Sequence, residues 1–281
     1  MDAVVLALVS AALFGSMTVA LRFALARVPD AEAGALLTIL VAFAVTLPFV
    51  AAGELDLGGT WPFLLAGVLG PGGSQLLFTL GVRDAGPSRA SVTVGTAPLF
   101  SVAIALLLLD EPAKAGVLGG GVLIVVGGIV LAREPGRPEH VKWIGLGFAF
   151  AAAILIATRD NVVRHLSLDT GVEPALAVAA TLFAGGLTVV AWLLVTRRRL
   201  PSRGLATFVP AGLCFGLSYL CLVEAFYRGR VSVVSPLVAT ESLWGVGLSA
   251  LLLRTHELVG RRLFGGALLV VAGGILIGLS R

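Results

Sequence analysis

Residues 111–129, EPAKAGVLGGGVLIVVGGI, return at residues 257–275 as ELVGRRLFGGALLVVAGGI. At an offset of 146, Glu111 falls on Glu257, Gly119-Gly120 on Gly265-Gly266, Leu123 on Leu269, Val125 on Val271 and Gly127-Gly128-Ile129 on Gly273-Gly274-Ile275. Upstream the match continues at an offset of 144, with Ser88, Ser91, Val94, Thr96, Leu99 and Val102 falling on Ser232, Ser235, Val238, Thr240, Leu243 and Val246. The two-residue slip sits in Arg254-Thr255-His256. A self-match of this length in an apolar chain is the mark of a repeat architecture.

Hydrophobic residues fill 58 % of the 281 positions and charged residues 13 %, whereas a soluble domain carries about 25 % charged residues. Such a chain cannot cover a water-facing surface, so the composition points to an integral membrane protein. Ten apolar segments of about 18–24 residues, each able to cross about 30 Å of hydrocarbon, fall near 3–26, 33–52, 62–82, 87–109, 115–132, 143–165, 174–196, 205–227, 231–254 and 259–279. The connectors hold the helix breakers and charges, among them Pro29-Asp30, Asp110-Glu111-Pro112, Arg133 to Lys142 and Arg197-Arg198-Arg199-Leu200-Pro201. None is long enough for a soluble domain. The first apolar run has no basic n-region and reads as a spanning helix, not a cleaved signal. A net charge of +4 is too small and too scattered for nucleic-acid binding. Cys214 and Cys221 would sit about 10 Å apart along one helix, too far for a disulfide. His140, His165 and His256 share no metal-ligand spacing.

Segments four and five match segments nine and ten, so each half holds five helices. Five is odd, and the second half must therefore enter the membrane the opposite way round. The expected fold is all-α and integral to the membrane: ten transmembrane helices in two inverted five-helix repeats, 1–135 and 141–281, with a substrate site near the midplane between them. Of the 20 Lys and Arg residues, 14 fall on the side holding loops 1–2, 3–4, 5–6, 7–8 and 9–10, and six on the other. The positive-inside rule places the first set in the cytoplasm and both termini outside.

Three stretches carry a family resemblance. Pro87-Ser88-Arg89-Ala90-Ser91 leads into an apolar helix with Ala97-Pro98-Leu99-Phe100. Leu106 to Leu109 closes on Asp110-Glu111, and the glycine-rich helix from Gly119-Gly120 to Gly127-Gly128 recurs in the second half. Together they resemble the drug/metabolite transporter (DMT) superfamily, in its ten-helix form built of two EamA domains, over essentially the whole chain. The resemblance implies a central cavity lined by helices one, three, four, six, eight and nine, with five and ten packed outside. Its members export amino acids, other metabolites or drugs, and some import solutes or flip lipid-linked sugars. It also implies that both termini are cytoplasmic, opposite to the charge count. The chain departs from the family at Ser242-Leu243-Trp244-Gly245, where a proline is common. No proline there enforces a break to match the one at Pro98.

Glu241 is the most informative single residue. It lies about ten residues into segment nine, at mid-membrane depth, where a carboxylate costs a few kcal/mol on insertion scales and faces a cavity or a partner. Ala97 stands at the equivalent position, so the repeat does not require the acid. The expected role is proton coupling or binding of a substrate amine, against a polar helix–helix contact as the structural alternative. Arg159 and Asp160 lie in segment six. Neighbours on a helix point about 100° apart, so they are not expected to pair with each other. Asp160 would pair with Arg164 at i, i+4, and Arg159 would reach Glu241 or Glu224 or bind a substrate carboxylate. Glu224 stands one turn from Arg228, which offers it an interfacial salt bridge instead. Gln75, Tyr219, Trp244, Thr18 and Thr96 complete the candidate substrate-binding or coupling residues. Pro71, among glycines, and Pro98 interrupt segments three and four. Glu111 and Glu257 read as N-terminal caps of helices five and ten, and Gly116-x3-Gly120 as a packing motif.

No catalytic constellation, phosphate-binding loop or metal cluster appears, so neither an enzyme nor a cofactor is expected. The sequence reads as a secondary-active transporter that moves a small organic solute by alternating access, with export favoured and protons as candidate coupling ion. Its partners would be the solute and the bilayer, a monomer would suffice, and the setting would be a bacterial or archaeal plasma membrane. The competing readings are a flippase for a lipid-linked headgroup and a membrane receptor with a static pocket.

Overall fold

In the computed structural model every element among the described residues is helical. Those residues are 2–53, 57–108, 115–132, 142–197, 204–229, 231–252 and 261–280. The helices are α1 (Ala3–Arg27), α2 (Ala31–Ala51), α3 (Trp61–Gly67), α4 (Gln75–Ala85), α5 (Pro87–Val94), α6 (Ala97–Leu108) and α7 (Ala115–Ala132). They continue with α8 (Trp143–Asp169), α9 (Pro174–Val195), α10 (Val209–Arg228), α11 (Val231–Val238), α12 (Glu241–Leu252) and α13 (Arg261–Ser280). Six stretches among the described residues are long and apolar enough to cross a membrane: α1, α2, Trp61–Ala85, Trp143–Leu168, Pro174–Val195 and Leu205–Arg228. Large apolar side chains such as Phe49, Leu65, Leu194 and Leu279 face outward, as suits a surface that meets lipid rather than water. Glu111 and Glu257, with Asp110, Pro112, His140 and His256, lie outside the described residues.

Local chemistry sets the helix ends. Asp30 caps α2 by accepting the Ala33 amide at 2.9 Å. α4 stops at Gly86, whose φ of 86° suits a residue without a Cβ, and Pro87 then opens α5, where its missing N–H costs nothing. Between α3 and α4 the chain widens into a π-helical turn, Val68–Ser74, around Pro71. The interruption expected in segment three is therefore a bulge in a continuous span.

Segments four and nine are each two helices. α5 gives way to α6 at Gly95-Thr96, and α11 to α12 at Ala239-Thr240. The second break occurs without a proline to match Pro98, and the paired threonines explain it. Thr96 Oγ1 donates to the Thr93 carbonyl and Thr240 Oγ1 to the Leu237 carbonyl, both at 2.6 Å. The amides of Thr96, Leu99, Thr240, Ser242 and Leu243 likewise bond three residues back rather than four, which tightens both kinks.

α7 and α13 pack face to face through the repeated glycines. A Cβ on Gly120 would lie 2.5 Å from the Gly273 carbonyl oxygen, and a Cβ on Gly273 would lie 2.5 Å from that of Gly120. Gly127 approaches the Gly266 carbonyl in the same way, at 2.8 Å from an added Cβ. The partner numbers fall as the α7 numbers rise, so the helices run antiparallel. Around the centre, α1 packs on α10 and α4 on α8. Ser10 and Ser218 seal the first pair, each hydroxyl donating to the other's carbonyl, at 3.0 and 2.7 Å.

Candidate functional site

A cavity opens among α1, α4, α5, α6, α8, α10, α11 and α12. These correspond to segments one, three, four, six, eight and nine. Its ionisable lining residues are Arg159, Asp160 and Glu241, and Gln75 also faces it. Phe14, Met17, Phe78, Phe215 and Leu222 supply much of the apolar wall. The Phe14 and Phe215 rings lie 6.0 Å apart, tilted by 47°.

Arg159 is held from three directions. Its alkyl stem crosses Gly70 in the π-helical turn, where an added Cβ would stand 2.6 Å from Arg159 Cγ. Its guanidinium carbon sits 5.0 Å from the centroid of the Tyr219 ring, a cation–π arrangement. Its Nη2 meets Asp160 Oδ1 at 2.7 Å. The expectation that the two neighbours do not pair is therefore corrected. The 100° between adjacent helix positions separates their Cβ atoms, but the long arginine side chain folds back across that arc once Gly70 leaves room for its stem. Arg164 turns away from Asp160 and donates to the Phe226 carbonyl.

Glu241 is the first residue of α12, directly after the kink, rather than ten residues into an unbroken helix. It lines the cavity, has no hydrogen-bond or ion-pair partner among the described residues, and feels the charges of Asp160 and Arg159.

The other candidates lie elsewhere. Tyr219 is fully buried beneath Arg159 and supports it from behind. Glu224 takes the interfacial option and pairs with Arg228 through Nε at 2.6 Å. Thr18 donates to the Phe14 carbonyl at 3.0 Å within its own helix, and Thr96 serves the kink. Trp244 is 48 % exposed and does not line the cavity.

Several residues escaped the sequence reading. Ser74, Ser101 and Ser235 line the cavity, and Asn161 Nδ2 donates to Ser101 Oγ at 2.8 Å, tying α8 to α6. Away from the cavity, Asp84 joins α4 to the start of α8. Its side chain meets Arg83 at 2.9 Å and Lys142 at 3.7 Å, and its carbonyl accepts the Lys142 amide at 2.7 Å. Glu32 of α2 approaches Arg83 at 3.8 Å, and Arg89 is buried at the start of α5. A signal existed for Asp84 and Arg89, since both are charges at the edge of apolar segments beside the Gly86-Pro87 turn. Among the described residues, no group of three His, Cys, Asp or Glu side chains is placed to hold a metal ion.

A solved crystal structure of similar size superposes on this chain with a TM-score of 0.69 at 20 % identity, over 98 % of this chain and 95 % of that one. At that identity the likeness concerns the fold. No curated protein matches the chain in sequence. The model of the EamA-like transporter family matches residues 1–133 and again 143–279. Nearly the whole chain is thus accounted for by two copies of one unit, and the protein is a multi-pass membrane protein that belongs to the EamA-like transporter family of the DMT superfamily.

Proposed function

We propose that the protein is a secondary carrier that moves a small organic solute across a bacterial or archaeal plasma membrane by alternating access, with export as its direction. Ten spans would form two inverted five-helix repeats, 1–135 and 141–281. The observation that carries this reading is the antiparallel, reciprocal contact of equivalent helices. Gly120 and Gly127 of α7 meet Gly273 and Gly266 of α13, and each glycine's repeat equivalent stands across from its partner's. Contacts of that form arise when two copies of one unit are related by a twofold axis, and an axis lying in the membrane plane makes the copies inverted. Two such halves can exchange their conformations, which gives two arrangements of similar energy that a ligand shifts only through differential contacts.

The cavity side chains Arg159, Asp160, Glu241 and Gln75 are the proposed solute-binding groups, with Glu241 the candidate for coupling. The test has two stages. Purified protein is screened by thermal shift against amino acids, nucleosides and cationic drugs, because a ligand selective for the native state raises its apparent stability. Each hit is then followed as radiolabelled counterflow in proteoliposomes. Saturable counterflow of a hit supports the carrier; tight binding with no flux in either direction would leave a static receptor and refute it.

A further inference from the structure

We infer that the cavity takes an organic cation: an ammonium group set against Glu241, carried on an apolar, ring-bearing body. This rests on the carrier reading and deepens it. Among the described residues, the ionisable side chains of the lining are one base and two acids, Arg159, Asp160 and Glu241. The base is already paired, with Nη2 on Asp160 Oδ1 at 2.7 Å and its guanidinium carbon 5.0 Å from the Tyr219 ring centroid. Arg159 Nε is buried and has no hydrogen-bond partner among the described residues, so it is out of a ligand's reach. That leaves Glu241 as the acid no described side chain answers. An intramembrane carboxylate facing a cavity calls for a counter-charge, and the missing positive charge is what the ligand brings.

The same geometry disfavours an anion. The amides at the two kinks are turned back onto carbonyls three residues earlier, so the starts of α6 and α12 do not present a row of free N–H groups to the cavity. A ligand carboxylate would meet two acids, Asp160 and Glu241, and a single base that Asp160 already pairs. The rest of the wall selects the body. Phe14, Phe78 and Phe215 offer ring faces and edges, and Met17 and Leu222 fill the gaps between them. The first-half side of the cavity carries Ala97 where the second half carries Glu241, so the charge is confined to one wall and the apolar body is directed to the other.

The test uses three probes that share a phenyl ring and differ in charge: 2-phenylethylamine, L-phenylalanine and 3-phenylpropionate. Binding to the full chain in detergent is measured by isothermal calorimetry. The amine is expected to bind at least about tenfold more tightly than the zwitterion and the acid, the factor that one charge-assisted contact supplies. Glu241→Gln is expected to abolish that preference while leaving size-exclusion and circular-dichroism profiles unchanged. Should Glu241→Gln not fold, the wild-type series alone still decides, and Glu241→Asp should retain the order with weaker binding. Tighter binding of the acid or the zwitterion, equal binding of all three, or no binding of the amine overturns the inference. Counterflow separates the two levels of the argument. Flux of the zwitterion or the acid, but not the amine, leaves the carrier standing and removes the cation site. Glu241-dependent binding of the amine without flux does the reverse.

Discussion

Replacing Gly120 by alanine tests the reciprocal contact on which the two-half architecture rests. The added Cβ would stand 2.5 Å from the Gly273 carbonyl oxygen and 2.6 Å from Ile277 Cγ1. Ordinary contact begins near 3.4 Å, so the shortfall against the carbonyl is 3.4 less 2.5, or 0.9 Å. The Ile277 side chain can turn aside, but the carbonyl belongs to the α13 backbone and cannot. The helices must part locally, and a gap of about 0.5–1 Å forfeits a quarter to a half of each dispersion contact it opens. Overpacking of this kind costs about 1–3 kcal/mol. Alanine returns up to about 1 kcal/mol through its better helix propensity. A net loss of up to about 2 kcal/mol follows, and a loss of about 1–3 kcal/mol relative to a glycine-to-alanine change that meets no neighbour. Gly273→Ala should cost about the same, because its Cβ meets the Gly120 carbonyl at the same 2.5 Å. The double variant should cost little more than either single one, since one parting of the helices admits both methyl groups. Gly247→Ala and Gly265→Ala are the controls: an added Cβ there meets nothing within 4 Å, and each should be neutral or slightly stabilising. Reversible unfolding in mixed micelles, followed by circular dichroism, reads all five variants. If Gly120→Ala is as harmless as Gly265→Ala, or if the double variant is strictly additive, the reciprocal packing is not there.

Asp84→Asn keeps the shape of the α4–α8 junction and removes the charge that meets Arg83 at 2.9 Å and Lys142 at 3.7 Å. Lys142 is 67 % exposed and contributes little, so the loss should come mainly from Arg83, at about 1–3 kcal/mol for a hydrogen bond to a charged group. The unfolding midpoint measures it, and an unmoved midpoint would deny the junction any part in stability. Gly70→Ala places a Cβ 2.6 Å from the Arg159 stem, so it should dislodge the guanidinium and lower stability by about 1–3 kcal/mol, the cost of overpacking, read as a fall in the unfolding midpoint. Tyr219→Leu should lower the unfolding midpoint through loss of the ring that faces Arg159, with Tyr219→Phe retaining it; a midpoint that ranks phenylalanine with leucine would show that the ring does not hold Arg159.

The scaffold was legible because it repeats. The doubled glycines of 119–128 and 265–274 fixed which helices correspond, and the structure adds that they touch. The kinks were half legible. Pro98 pointed to one, but the second arises at Ala239-Thr240, where Ser242 stands in place of Pro98 and the signal is the threonine that both halves share. The Arg159–Asp160 pair was misread because helix angles constrain Cβ directions and say little about the end of a long side chain. Its contact needs Gly70, almost ninety residues away in sequence, and no local pattern encodes that. The Asp84 junction was missed for a related reason. Its partners, Arg83 and Lys142, come from both sides of the boundary between the halves, and it forms only when α4 and α8 pack.

The broken symmetry of the cavity can be followed contact by contact. Met17 and Arg159 correspond at an offset of 142, and Gln75 and Tyr219 at 144. In the first half Gln75 Nε2 approaches Met17 Sδ at 4.0 Å; in the second the Arg159 guanidinium lies 5.0 Å from the Tyr219 ring. The same structural contact is thus made twice, once in nearly neutral chemistry and once with a full charge. Had both copies kept the charged form, two arginines would face one small cavity, and like charges in a water-poor site oppose each other strongly. Had both kept the neutral form, nothing would orient a ligand, since a twofold-symmetric cavity accepts a molecule in either of two opposed poses. With Arg159, Asp160 and Glu241 on one wall and Met17, Gln75 and Ala97 on the other, a polar head and an apolar body have one best direction. On the carrier reading, the head stays with the second half whichever way the halves rock. The contacts that change between the two states are then those the body makes with Phe14, Met17 and Phe78, and it is through them that a ligand can favour one state over the other.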